Sequence, residues 1–166
     1  MKLAAALLLA CCACQAHAQV PHIVGTWTFN AAESKLPPGP SPQTHVRRYS
    51  LDDDGTLIGV AVIVDARGVP HFLQFAAKPD GRDYPEFDDR SAANYLKDGA
   101  KPPRTYAETP IDSRTVEWVD KADGRVIAHG RKWVTEDGQQ LRFTSEVTTA
   151  SGEKLELLYV FDRTGT

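Results

Sequence analysis

The sequence predicts an all-β protein, an antiparallel meander of about 8 to 10 strands that closes into a barrel. Turn signals return at regular intervals, and the segments between them alternate apolar with polar residues. Most of the turn signals end in Asp-Gly, in which glycine accepts the positive φ of a tight hairpin. The intervening segments of about 8 to 12 residues are typical of barrel strands. The turn signals occupy residues 52–55, 65–68, 78–81, 121–124, 135–138 and 149–152.

Alternation assigns one face of each strand to the core. In the last strand Leu157, Tyr159 and Phe161 share a face, whereas Glu156 and Asp162 face the other way. Consecutive strands joined by short connections pair as antiparallel neighbours, and closure of the sheet removes its exposed edges. The expected strands are residues 23–30, 43–51, 56–65, 70–78, 104–109, 114–120, 125–134, 139–149 and 153–162.

Two connections are longer than a hairpin turn. Residues 30–42 are rich in proline, and residues 83–103 show little periodicity. Within the second connection, residues 91–98 begin with Ser91 and are followed by Gly99, which predicts a capped start and a stop. We therefore expect a short helix within residues 86–103.

The N-terminus has the pattern of a secretory signal peptide over residues 1–18. It contains one lysine, an apolar stretch and the small-residue cleavage pattern Ala16-His17-Ala18. The apolar stretch is shorter than the roughly 20 residues that span a bilayer. We expect one mature domain, residues 19–166, exported to the periplasm or the extracellular space. The run from Leu8 to Cys11 also resembles a lipobox, so the alternative is a lipoprotein that Cys11 anchors to a membrane.

Composition excludes several classes of site. All three cysteines, Cys11, Cys12 and Cys14, lie in the leader, so the mature chain is expected to carry no disulfide and no thiol ligand. The net charge is -3 and no basic run is present, which speaks against nucleic acid as a partner. The histidines are scattered singly without metal-ligand spacing, so neither a metal nor another cofactor is expected.

The stretch Gly25-Thr26-Trp27 resembles the Gly-x-Trp signature of lipocalins and their calycin relatives. In that family the tryptophan closes one end of the barrel, and an arginine from the last strand packs across it. Arg163 stands at the matching position, so the resemblance implies that Gly25, Trp27 and Arg163 form the barrel closure. Residues 25–35 and 80–85 also resemble a group of secreted bacterial proteins, which implies a fold and a location but no activity.

Several side chains of the predicted inner face are candidates for contact with a ligand. His71 has the parity of Leu73, and a histidine in an apolar cavity could orient a ligand or act as a general base. It could equally be a hydrogen-bonded residue at the start of a strand. No nucleophile or phosphate-loop motif marks a catalytic residue. The full candidate set is His71, Phe75, Trp118, His129, Arg131, Phe143, Ser145 and Tyr159.

Three functions fit this pattern. The first is a non-enzymatic binder of a small apolar or amphipathic ligand, which predicts a cavity of several hundred Å³. The second is a barrel lyase, isomerase or hydrolase that uses His71 as its acid or base, which requires a hydrogen-bonding partner for that ring. The third is an envelope protein that acts through protein partners without a ligand. The identity of the ligand and the oligomeric state stay open.

The leader predicts that the mature protein begins at Gln19. Intact-mass spectrometry of the exported protein should give the mass of residues 19–166, and a Cys11→Ser substitution should leave that mass unchanged. A mature protein that begins at an acylated Cys11, and whose processing fails in the Cys11→Ser variant, would contradict this expectation.

Overall fold

The computed structural model describes residues 21–89, 104–148 and 152–165. The signal peptide, the lipidation site at Cys11 and the helix expected at residues 91–98 lie outside these ranges. A 3-10 turn, Pro21–Ile23, precedes ten strands: β1 (Gly25–Phe29), β2 (Thr44–Leu51), β3 (Leu57–Val64), β4 (Pro70–Ala77), β5 (Tyr84–Asp88), β6 (Arg104–Pro110), β7 (Thr115–Ala122), β8 (Arg125–Val134), β9 (Gln140–Thr148) and β10 (Lys154–Gly165).

The ten strands form one closed antiparallel barrel. Each strand pairs with its neighbours in sequence, and β10 returns to pair with β1. At this seam Trp27 lies opposite Arg163 on β10 and opposite Arg47 on β2. The predicted all-β fold and the closed meander are therefore confirmed.

The strand that the sequence pattern missed is β5. It lies inside residues 83–103, which we expected to be a connection without a strand. Its inward-facing side chains, Glu86 and Asp88, are both almost fully buried. Alternation was not recognised in this segment because the core face carries carboxylates and the outer face carries Pro85 and Phe87.

One end of the barrel is closed around Trp27, whose side chain is fully buried. Its indole Nε1 donates to the carbonyl of Ile23, at 2.8 Å. The Arg163 guanidinium lies 4.0 Å from the centre of the ring, a cation–π contact worth about 1 kcal/mol when partly shielded. The same guanidinium donates to the carbonyls of His22, Val24 and Gly138 at 2.7 to 2.9 Å. Arg163 therefore ties the N-terminal turn to the β8–β9 turn across the tryptophan.

Gly25 makes this approach of arginine to tryptophan possible. Its φ is +136°, a conformation that side chains with a Cβ rarely adopt. A Cβ at this position would also lie 2.6 Å from Nη1 of Arg163 and 2.8 Å from the carbonyl oxygen of Gly165. The glycine two residues before the tryptophan is thus required by the arginine that covers the ring.

The opposite end of the barrel, here called the mouth, is where β2 begins and β3 ends. His45, Ile63 and His71 are neighbours in the strand register at this end. At the mouth His45 is buried, whereas Ile63 and His71 are half-buried.

The closure predicts that Gly25→Ala destabilises the protein by about 2 kcal/mol or more, because the new methyl group meets both Arg163 and a strained φ. The free energy of unfolding in urea measures the effect. Gly165→Ala is the matched control, since its Cβ would make only ordinary contacts of 3.5 Å with Thr26. Equal stabilities of the two variants would show that the Arg163 contact does not constrain Gly25.

Candidate functional site

The inner face of the barrel carries a cluster of charged side chains, here called the inner charge cluster. Four of its members lie on β5, β6 and β8 and are buried, with only 1 to 4% of their surface exposed. Buried ions are tolerated when they are paired and hydrogen-bonded. The cluster comprises Arg47, Glu86, Asp88, Arg104, Glu108, Asp120 and Lys132.

Arg104 lies at the centre of this cluster and pairs with three carboxylates. Its Nη1 donates to Asp88 at 2.5 Å and its Nη2 donates to Asp120 at 2.9 Å, whereas its Nε lies 2.9 Å from Glu86 without making a hydrogen bond. A planar guanidinium suits this role, because its donors point in several fixed directions. Arg104 on β6 thereby connects the carboxylates of β5 with that of β7.

Lys132 on β8 forms a second buried group with Glu108 and Tyr106. Its ammonium pairs with the Glu108 carboxylate and donates to the Tyr106 hydroxyl at 2.9 Å, and that hydroxyl in turn donates to Glu108. Burial and the charge of Glu108 raise the pKa of Tyr106 well above its usual value. The tyrosine therefore stays neutral and keeps its proton as a donor.

Arg47 on β2 is the third cation, and within the described ranges it makes no ion pair. Its Nη1 donates to the hydroxyl of Tyr49 and its Nε to Nε2 of His45, both at 3.3 Å. Its guanidinium lies 4.8 Å from the ring centre of Phe143. Burial, assisted by the charge of Arg47, lowers the pKa of His45 to about 2. The His45 imidazole is therefore neutral and can accept the hydrogen bond from Arg47.

Burial disfavours the charged form of two carboxyl groups in the inner charge cluster. Burial, together with the nearby charge of Asp120, raises the pKa of Glu86 to about 8. Burial also raises the pKa of Asp120, and the charges of Arg104 and Arg47 oppose that rise. The cluster therefore holds four carboxyl groups against three cations, and two of the four resist ionisation.

A cavity of about 60 Å³ adjoins the inner charge cluster. Aromatic rings border part of it and charged groups border the rest. Two buried atoms in its wall, Nε1 of Trp118 and Oδ1 of Asp120, find no hydrogen-bond partner in the described protein. The lining residues are Arg47, Tyr49, Leu73, Phe75, Glu86, Tyr106, Trp118, Asp120, Lys132 and Phe143.

This cavity is smaller and more polar than the several hundred Å³ that a bulky apolar ligand requires. It has room for a few water molecules or for the head group of a small molecule. Buried polar atoms are nearly always hydrogen-bonded, so the two unpaired atoms mark the cavity as a place for a polar guest.

Five of the eight candidate ligand residues face the interior beside this cavity or near it. Phe75, Trp118 and Phe143 line it. Tyr159 stacks on Phe143, with 4.6 Å between ring centres, and Ser145 is buried on the same face of β9. Neither Tyr159 nor Ser145 lines the cavity.

His71 lies at the rim of the mouth. Its Nδ1 is 3.3 Å from the carboxylate of Asp89 and its Nε2 is 3.8 Å from that of Asp65. The ring thus has the carboxylate partner that the enzyme alternative required. It does not line the cavity, so an acid or base at this position would act at the rim.

The structure corrects the inward orientation expected for His129 and Arg131. Both side chains are exposed on the outer face, where His129 is 3.8 Å from Glu146 and Arg131 is 3.3 Å from Glu117. Successive side chains of a strand point to opposite faces, so an assignment that is wrong by one residue exchanges the inner and outer faces. The apolar side chain of Trp133 suggested the wrong inner face for β8. Between Arg131 and Trp133, the residue that faces the interior is Lys132.

Gly130 also faces inward on β8 and lets β9 approach closely. A Cβ there would lie 2.0 Å from the carbonyl oxygen of Thr144. The charged residues of the inner cluster were missed because alternation was judged by apolar residues alone. The signal was nonetheless present on β6, where Arg104, Tyr106 and Glu108 recur at every second position.

Comparison with protein-family models gives no match, and comparison with curated protein sequences gives none. Among solved structures, the chain resembles the structure of EF1p2_mFAP2b bound to DFHBI, with 10% sequence identity and a TM-score of 0.47. The match covers 89% of this chain and 99% of that chain. Nothing below rests on this likeness.

Within residues 21–89, 104–148 and 152–165, no three His, Cys, Asp or Glu side chains are grouped so that they could hold a metal ion. No helix in those ranges combines the length and the apolar character needed to cross a membrane.

The raised pKa of Glu86 predicts a pH-dependent stability difference between the protein and Glu86→Gln. The unfolded chain releases this proton near pH 4.5, whereas the folded protein keeps it to about pH 8. The stability that Glu86 contributes is therefore complete below pH 4.5 and is lost as the pH rises to 8, at up to about 1.4 kcal/mol per pH unit. Urea unfolding from pH 5 to pH 9 measures the difference.

Glu117→Gln, on the outer face, is the control and should track the unsubstituted protein over this range, because its carboxylate is exposed. A constant difference between the Glu86→Gln variant and the unsubstituted protein would show that Glu86 is ionised in the fold.

Proposed function

We propose that the protein is an exported binding protein that takes the polar head of a small amphipathic molecule into the barrel through the mouth. The observation that carries this proposal is the pair of buried, unpartnered polar atoms in the wall of the cavity, Nε1 of Trp118 and Oδ1 of Asp120. Each such group costs about 1 to 3 kcal/mol when no partner satisfies it. A guest that supplies both hydrogen bonds would recover that free energy.

The position of the cavity supports access from the mouth. Arg47, Leu73 and Asp120 are half-buried, whereas Trp118 and Phe75 are buried. The apolar part of a guest would meet Leu73, a half-buried residue of the cavity wall. This arrangement favours the amphipathic form of the expected ligand over the purely apolar form.

Export remains part of the proposal and is supported by the leader in residues 1–18. A periplasmic or extracellular location suits a protein that captures a small molecule outside the cytoplasm. The lipoprotein alternative would place the same barrel at a membrane surface and would leave its interior unchanged.

Native mass spectrometry of the mature protein, re-isolated after incubation with a cell extract, tests this function. We expect a defined additional mass that Trp118→Phe loses, because the variant lacks the indole donor. Trp133→Phe is the matched control, since Trp133 does not line the cavity. No added mass in repeated extracts, or an added mass that the Trp118→Phe variant retains in full, would favour a barrel that acts through protein partners.

A further inference from the structure

The two unpartnered atoms of the cavity are chemically different and lie on one strand. Trp118 and Asp120 occupy inward positions two residues apart on β7. The indole Nε1 can only donate a hydrogen bond, whereas a carboxylate oxygen accepts one. Arg104 donates to Oδ2 of Asp120, and Oδ1 has no hydrogen-bond partner. Burial raises the pKa of Asp120, and the charges of Arg104 and Arg47 oppose that rise.

We propose that the ligand of this cavity is an uncharged molecule that presents a carbonyl and an adjacent N–H on one edge, as an amide, a lactam or a cyclic imide does. Its carbonyl accepts from Nε1 of Trp118 and its N–H donates to Oδ1 of Asp120. This inference rests on the proposed function and names the chemical class of its ligand.

The charges around the cavity argue for a neutral ligand. Glu86, Asp88, Glu108 and Asp120 supply four carboxyl groups, against three cations. The carboxyl groups therefore outnumber the cations by one. An anionic ligand would add a negative charge to this low-dielectric site, where like charges repel strongly.

A cationic ligand is disfavoured for a different reason. The ammonium of Lys132 and the guanidinium of Arg47 both border the cavity. A cation that reached Oδ1 of Asp120 would also leave Nε1 of Trp118 without an acceptor. A group with both a donor and an acceptor can satisfy both atoms.

The size and walls of the cavity favour a flat head group. A cavity of about 150 Å³ can hold a whole benzene molecule. This cavity measures about 60 Å³, so it admits only the polar edge of a ring. The rest of the ligand would extend toward the mouth. Phe75 and Phe143 line the cavity beside that position and offer aromatic surface to a planar group.

Titration of the ¹⁵N-labelled protein with 2-pyrrolidinone, N-methyl-2-pyrrolidinone and cyclopentanone tests the assignment. The first probe offers both a carbonyl and an N–H, whereas the other two offer only the carbonyl. We expect the indole N–H resonance of Trp118, assigned through Trp118→Phe, to shift downfield with 2-pyrrolidinone. The indole resonance of Trp27 should stay in place, because that N–H already donates to Ile23.

The affinity for 2-pyrrolidinone should be about tenfold or more above that for the two carbonyl-only probes, since only this probe pairs with the Asp120 carboxylate. Acetate should bind more weakly than 2-pyrrolidinone. Trp118→Phe should weaken the binding of all three probes, because each of them offers a carbonyl to the indole N–H, and Trp133→Phe should leave the three affinities unchanged. If Trp118→Phe fails to fold, the comparison of probes on the unsubstituted protein still decides.

Equal affinities for the three probes would overturn the amide assignment and leave the proposed function standing, because the cavity would still bind small molecules. Tighter binding of acetate than of 2-pyrrolidinone would overturn the inference that the ligand is uncharged. Failure of 2-pyrrolidinone to shift the Trp118 resonance up to its solubility limit would overturn the inference, whatever native mass spectrometry shows for extract components.

Discussion

The interior of this barrel depends on one guanidinium, that of Arg104, which pairs with carboxylates from two different strands. Its guanidinium contacts Glu86 and Asp88 on β5, which are buried, and Asp120 on β7, which is half-buried. Removal of one partner from a buried ion pair typically costs about 3 to 5 kcal/mol. Arg104 therefore links side chains of β5 and β7 across β6, next to the residues that line the cavity.

The barrel separates a structural end from a polar end. At the closed end, Arg163 covers Trp27 and donates to three carbonyls, so the N-terminal turn and the last strand are held by directional contacts. Toward the mouth, the side chains become charged and half-buried. Because the closed end is held by its own contacts, the polarity of the other end can change without loss of the fold. Ligand sites of small barrels commonly lie in the mouth.

The sequence predicted the parts of the structure that obey apolar alternation. Nine strands, the closed meander and the inward positions of Phe75 and Phe143 followed from that rule. The rule failed on β5 and β8, where charged residues occupy the core face and the periodicity therefore inverts. Pairing between Lys132 and Glu108 makes such a core face stable, but the two residues are 24 positions apart and only the three-dimensional structure brings them together.

The cavity itself could not be predicted from the sequence, because its volume depends on how ten strands pack. The cavity is polar because charged side chains line it, and the alternation rule did not assign these side chains to the core. Lipocalin-like patterning therefore led to an expectation of a larger and more apolar pocket than the cavity beside the inner charge cluster. The closure around Trp27 and the chemistry of the interior are separate properties of the chain.

The most direct test of this account is a crystal structure of the protein purified from the compartment to which its host exports it. The account predicts electron density for a small planar group in hydrogen-bonding contact with both Nε1 of Trp118 and Oδ1 of Asp120. A structure in which protein side chains fill the cavity and satisfy both atoms would contradict it.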